Sequence, residues 1–417
     1  MPFSSEERTV LRDLAKRVAD IAAQPVMEKR RQLWKKHNSL QKVRPLVLVF
    51  PEGSWRELMP DDSVRCRDKE ARNIERELRR RIFYHEHIHD DTVIENKWPV
   101  GKAIRDTGWG LEARWHKSND PLGARTFDPV ILQPSDLKKL RTPEIHHDAE
   151  ASQARLAEFQ ELFGDILDVY QRGTTYTLHI MNHYTSLRGL EQVMMDMVAE
   201  PQMLHDAMAF YEQAHKKRLE QLLALNLLAL NNDNSYQGTG GNGWTDDLPA
   251  PGFDPNHVRP CDVWAMAEAQ EMAQVSPQMH EEFILSYERR LLAPFGLNNY
   301  GCCEDLTRKL GNVLSIPNIR RISIAPSANP ARCAEQIGNR AVFSWKPQPA
   351  QLVGRFDTGL IRKYIAHTLD VTRDCVVEMV LKDTHTCEHK PERFTAWTDI
   401  ATELIRERHP EIDECRF

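Results

Sequence analysis

The chain has 417 residues, 41% of them hydrophobic and 28% charged, enough to bury a large core as one big domain or two ordinary ones. Its net charge of −6 arises from intermixed signs, which argues against a basic face for nucleic acid. No apolar run approaches the roughly 18 residues of a membrane span, and the charged start "MPFSSEERTVLRDLAKRV" has no signal-peptide core, so a cytoplasmic protein is expected.

Residues 1–43 read as a helical extension, with Val10, Leu11, Leu14, Val18 and Ile21 spaced between charges. "RPLVLVFPEGSW" then gives a short β-branched run, 46–50, stopped by Pro51 and Gly53. A charged helix is expected over 68–83 and a second strand over 91–95. Between them His85, His87 and His89 alternate, as metal ligands on a strand would, yet the segment reads more readily as a solvated charged run. Residues 97–150, rich in Trp, Pro, Gly and Asp, predict long ordered excursions. An amphipathic helix over 151–173 leads to a strand at 176–180, followed by a long helical stretch broken near Pro201. A strand is expected at 227–231. The glycine-rich loop 232–247 fits neither dinucleotide nor P-loop spacing and reads as a loop that bends over a substrate. Ser276-Pro277 predicts a capped helix start, with the helix running to about Leu292. Four more strands are expected at 294–300, 319–325, 341–345 and 376–382. Eight strands alternating with helices predict a parallel sheet closed as a (β/α)8 TIM barrel over 44–417, with long inserted loops.

In such a barrel, functional side chains gather at the C-terminal ends of the strands. There the sequence places "YGCCED" and "KDTHTCEH", which offer thiolate and imidazole, the ligands zinc prefers. Cys302, Cys303, Cys387 and His385 are therefore candidate metal ligands. Adjacent cysteines on a strand point to opposite faces, so both Cys302 and Cys303 reach one site only if the strand has already turned; otherwise they are core packing. The other cysteines, Cys66, Cys261, Cys333, Cys375 and Cys415, are expected reduced, most of them as buried small hydrophobes. "HIMNHY" supplies His179, Asn182, His183 and Tyr184 at a strand end, and the glycine loop supplies Asn234, Tyr236 and Trp244. With Trp264, Tyr300, Trp345 and Lys346 these would line an aromatic pocket with a few polar groups, suited to an organic ligand.

From roughly 160 to 405 the chain resembles the uroporphyrinogen decarboxylase superfamily, which includes haem-pathway decarboxylases and zinc-dependent methyltransferases working with corrinoid proteins or coenzyme M. The resemblance rests on "LRGLEQVMMDMVAEPQMLHDAM", on the Asp262 segment followed by "VSPQMHEEFILSYERRLL", on "YGCCED" and on "GNRAVFSWKPQPAQLV". The methyltransferase branch carries His-x-Cys at this strand end and a later cysteine at the last strand, together binding zinc. Here Cys302 matches the first cysteine and Cys387 the later one, but Tyr300 stands where the histidine would be. Cys303, Glu304 or His385 would then supply the missing ligand, or the metal is lost. The decarboxylase branch's Met-Arg-Gln-Ala-Gly-Arg segment has no counterpart after "RPLVLVFPEGSW".

The resemblance thus implies a zinc-dependent methyltransferase moving a methyl group between a small, methoxylated or methylated substrate and the cobalamin of a separate corrinoid protein. Glu304, Asp262 and His183 are the expected catalytic residues and a homodimer the expected assembly. The alternative is a metal-independent decarboxylase or lyase acting on a small organic acid, and a third reading is a binding protein that has lost the site.

Overall fold

The computed structural model describes residues 3–116, 123 and 126–410; Cys415 lies outside them. Seven strands form one sheet: β1 (Leu46–Val49), β2 (Tyr176–Leu178), β3 (Trp264–Ala267), β4 (Leu297–Tyr300), β5 (Ile319–Ile324), β6 (Val342–Trp345) and β7 (Val376–Leu381). Their order is β1-β7-β6-β5-β4-β3-β2, and every neighbouring pair is parallel. Helices fall between most successive strands, so the chain is an α/β protein with a helix-covered parallel sheet, compatible with a TIM-like arrangement. Among the described residues the sheet is not closed, and the expectation of eight strands needs three corrections: two expected strands are absent from the sheet and one was missed.

Residues 91–95 form no ladder. Asp90 and Asp91 use their carboxylates instead, accepting the backbone N–H of Val49 and Val47 at 2.9 Å each. Two side chains thereby satisfy the edge of β1 where a strand was expected. Residues 227–231 likewise make one bridge, Leu228 to Thr174. Asn231 stands in for a strand residue: its amide donates to the Trp264 carbonyl at 3.0 Å and accepts from the Trp264 N–H at 2.9 Å. The strand that sequence reading missed is β3, whose sequence "WAMAEAQ" is built from good helix formers.

Side chains alternate across the sheet. Val47, Val49, Tyr300, Ile322, Ile324, Phe343, Trp345, Val377, Met379 and Leu381 belong to the main apolar core shared with the helices. The opposite face carries Trp264, Asn299, Arg321, Ser344 and Glu378, all buried. Arg321 and Glu378 form an ion pair, Nε to Oε1 2.9 Å. Around it, Ser344 donates to Glu378 at 2.5 Å and Arg321 donates to Asn299 at 3.2 Å. Arg321 also donates to the Asn38 side chain at 2.6 Å and lies over the Trp264 ring. Burial alone would raise the Glu378 carboxyl, but Arg321 and His37 outweigh it and hold it down at about 2.

His37 and Asn38 end the helix Pro25–Asn38, so the N-terminal extension is tied into this inner face. Its helices also share an apolar cluster with Leu46 and Leu48 of β1. The glycine-rich loop does not lie over the outside. Arg321 donates to the Asn242 carbonyl at 3.0 Å, and a Cβ on Gly240 would stand 2.6 Å from Val380. At Gly241, φ is +88° and a Cβ would meet both Arg321 and Glu378 at 2.7 Å. Only glycine lets the backbone press on the charged pair there.

The excursion 97–150 builds small two-stranded additions: Lys97–Gly101 with Asp168–Arg172, Ala103–Asp106 with Ile145–Asp148, and Arg114–His116 with Thr126–Asp128. The helix predicted over 68–83 spans Lys69–His87, so His85 and His87 are helical rather than alternating on a strand, and His89 pairs with Asp399. Among the described residues no helix is long and apolar enough to cross a membrane.

Two substitutions test this interior. Gly241→Ala is expected to lower unfolding free energy by about 2 kcal/mol or more, because it adds both backbone strain and a collision. Arg321→Met is expected to cost about 3–5 kcal/mol by stranding a buried carboxylate. Urea midpoints matching wild type in both variants would contradict this account.

Candidate functional site

The C-terminal ends of the strands meet at one mouth. β2 delivers His179, β3 Glu268, β4 the Gly301–Glu304 turn, β6 Lys346 and β7 Lys382. The glycine loop adds Tyr236 and Thr239, and a cavity of ≈ 360 Å³ lies between His179, Tyr236, Thr239, Met266 and Lys382. Thr239 donates to the Gly301 carbonyl at 3.0 Å, so the loop is fastened to the end of β4. Lys382 donates to the Tyr236 hydroxyl at 3.3 Å.

The imidazole of His179 lies 2.9 Å from the buried carboxylate of Glu268, Nδ1 to Oε1. A carboxylate in this position orients the ring and leaves Nε2 free to exchange a proton with a ligand. Sequence reading missed Glu268 because it missed β3. Residue alternation from Trp264 through Met266 would have put Glu268 on the inner face at the strand's end.

After β4 the chain turns at Gly301, where φ is +94°. The turn ends strand alternation, so Cys302 and Cys303 sit side by side with their sulfurs 3.6 Å apart. Cys303 is exposed and Cys302 half-buried. Hydrogen bonding between them splits the pair: Cys302 keeps its proton and is pushed up, first by that bond and then by burial, while Cys303 is lowered because it accepts the bond. Glu304 sits behind them, fully buried, accepting the Cys302 N–H at 2.7 Å, and burial pushes its carboxyl up to about 7. Lys346 donates to the Ser344 hydroxyl at 2.6 Å, and burial brings its ammonium down to about 7.

The expected zinc ligands do not converge. The buried Cys387 thiol donates to Glu57 at 3.2 Å, and the Cys387 and His389 N–H groups bond the same carboxylate oxygen. His385 packs its backbone and ring against Gly53. Among the described residues no group of three or more His, Cys, Asp or Glu side chains is arranged to hold a metal ion. The donor set implied by the resemblance therefore does not fit zinc as placed.

Of the other expected site residues, Asn182 donates to Glu271 at 2.9 Å, and both line an aromatic cleft that also includes His183. Asn234 lines a separate side cavity of ≈ 330 Å³ with Tyr236. Six residues lie away from the mouth. Tyr300 and Trp345 face the helices: the Tyr300 hydroxyl donates to Glu288 and contacts His280, and Trp345 packs on Tyr364. Tyr184 is buried against Tyr211. Trp264 is inside the sheet, its indole donating to the Gly243 carbonyl. Trp244 is likewise buried, in the cluster around β1, with Arg31 over its ring. Asp262 precedes β3, at the opposite end from the mouth, where it accepts from Arg259 and the Ala250 N–H. That bonding ties Asp262 into the turn before β3, away from the mouth where a catalytic carboxylate was expected.

Two measurements check these assignments. Iodoacetamide should modify Cys303 first among the described cysteines, and Cys302→Ala should move the pH midpoint of that reaction upward by removing the donor; an unmoved midpoint contradicts the pairing. Glu304 has a folded value near 7 against 4.5 for the free side chain, so the stability it contributes is complete below about 4.5 and lost as pH rises to 7. Glu304→Gln should flatten stability across that window, and an unchanged slope would refute its burial as a neutral acid. No protein-family model and no curated protein matches the chain. Among solved structures, its backbone is similar to a methyltransferase from Methanosarcina mazei with a TM-score of 0.49 and 11% identity, covering 90% of this chain and 98% of that one.

Proposed function

We propose that the chain is a methyltransferase that removes a methyl group from a small methylated substrate at the mouth of the sheet. The observation that carries the reading is the Cys302–Cys303 pair, a thiol hydrogen-bonded to a neighbour that ionises more easily, at a strand end facing polar groups. The resemblance of residues 160–405 to the methyltransferase branch supports it. Methyl transfer is an in-line displacement at carbon. The Cys303 thiolate supplies the electron pair for a new S–C bond, and the bond from carbon to the donor heteroatom breaks with its electrons. The departing heteroatom takes a proton from His179, whose ring Glu268 orients. The hydrogen bond from Cys302 is what eases ionisation of the Cys303 sulfur, since Asp383 and Lys382 act on it with opposite signs, the aspartate disfavouring the thiolate more than the lysine favours it. Turnover needs a second acceptor, for which a separate corrinoid protein is proposed on the resemblance alone. No step is assigned to zinc.

A second reading has its own support. Lys346 and Glu304, both brought near 7 by burial, are suited to acid–base work on a small organic acid without metal. One experiment separates the two. The protein is incubated with O-, S- and N-methylated small molecules, and the Cys303 peptide is examined by mass spectrometry. A gain of one methylene in mass, absent in Cys303→Ala, supports methyl transfer. An unmodified Cys303 with every donor class, and no donor demethylation when reduced cobalamin is added as acceptor, would sink it. Release of carbon dioxide that persists in Cys303→Ala would favour the lyase.

A further inference from the structure

Beside the mouth lies a second cleft, of ≈ 510 Å³, between the hairpin Arg114–His116/Thr126–Asp128 and the helix Ile180–Arg188. Three aromatic rings line it: Trp109, Trp115 and Phe127. Trp115 and Phe127 stand 5.1 Å apart at 59°, making a corner of two ring faces. Trp109 is fixed from behind by Tyr211 at 5.0 Å and His215 at 4.8 Å. Trp115 is 55% exposed, with its ring set against Phe127.

Among the described residues, the charged side chains that line this cleft are all of one sign. Glu112 and Glu271 line it, and among the described residues no lysine or arginine does. One Glu271 oxygen accepts from Asn182, and the other is buried with no hydrogen-bond partner. His183 is held neutral, first by burial and then by nearby positive charge, and the Arg218 that acts on it is paired with Asp106 at 2.8 Å. Burial raises the Glu271 carboxyl, and Glu268 adds to it against the Asn182 hydrogen bond, so positive charge placed beside it would favour its ionised form.

The geometry points to a binding site for a methylated ammonium cation, held by the rings of Trp109, Trp115 and Phe127 with Glu271 as its counter-charge. Such a cation is large, weakly hydrated and without strong donors, so ring faces and a nearby carboxylate recognise it better than hydrogen bonds do. A primary ammonium would need acceptors at hydrogen-bond distance, and an anion would meet two carboxylates. The Asn182–Glu271 pair connects the cleft to the mouth, because Glu271 interacts electrostatically with both His179 and Glu268. As the donor site for methyl transfer the cleft rests on the function proposed above; as a binding site it stands on its own lining.

The test uses the full chain and two ligands of one shape, choline and its uncharged analogue 3,3-dimethylbutan-1-ol, measured by titration calorimetry. Choline should bind about tenfold or more tightly than the neutral analogue. Trp115→Ala should weaken choline by a similar factor, and because that indole is largely exposed the variant should fold normally; Glu271→Gln should reduce the preference for charge. Equal affinity for the two ligands, no choline binding, or choline binding unchanged in Trp115→Ala would each overturn the assignment. Choline bound in the cleft but never demethylated refutes methyl transfer from it while leaving the site. Demethylation of other donors with no choline bound does the reverse.

Discussion

The contact between Arg321 and Glu378 sets the interior of the sheet. Two opposite charges with essentially no solvent access are costly to bury, and hydrogen bonds from side chains and backbone around them offset that cost. Those bonds reach far along the chain. Asn38 comes from the N-terminal extension, Asn242 from the glycine loop, and Ser344 and Asn299 from neighbouring strands. The pair is therefore the place where four distant segments must agree on register. The glycine loop has its composition for the same reason, since any side chain at position 241 would occupy the space of the charges themselves.

From that interior the mouth inherits its character. Ser344 bridges Glu378 below to Lys346 above, so the lysine at the strand end is held by the same network that holds the core. Thr239, on the loop that the pair admits, is bonded to the carbonyl at which β4 turns and the two cysteines come together. Reactive groups on such a support lose little freedom when a ligand arrives, which is where a rigid site gains over a mobile loop.

Much of the architecture was legible in the sequence, because short β-branched runs at 46–50, 319–325, 341–345 and 376–382 announce buried parallel strands. What failed did so for physical reasons. "WAMAEAQ" carries helical propensity that tertiary burial overrides, whereas "DTVIE" and "LLALN" have strand-like composition but lose their ladder positions to the side chains of Asp90, Asp91 and Asn231. In the site, position relative to strand ends led to His179, Cys302, Cys303, Glu304 and Lys346, which follow the C-terminal ends of β2, β4 and β6. Tyr300 and Trp345 went astray through one residue of phase, since neighbours on a strand face opposite ways. Cys387 could not be judged from sequence, because its partner Glu57 is 330 residues away and belongs to a short helix that no periodicity marks.

The aspartates beside β1 have a further consequence. An unclosed parallel sheet leaves a strand whose amides could pair with any extended chain that arrives, including a second copy. Here the amides of Val47 and Val49 are taken by side chains from a single Asp-Asp step, and the Asp91 N–H in turn takes the Val47 carbonyl. Among the described residues, growth of the sheet stops at β1 without a further strand to stop it. A protein can thus leave its parallel sheet open and still offer no template for the sheet of another molecule at that edge.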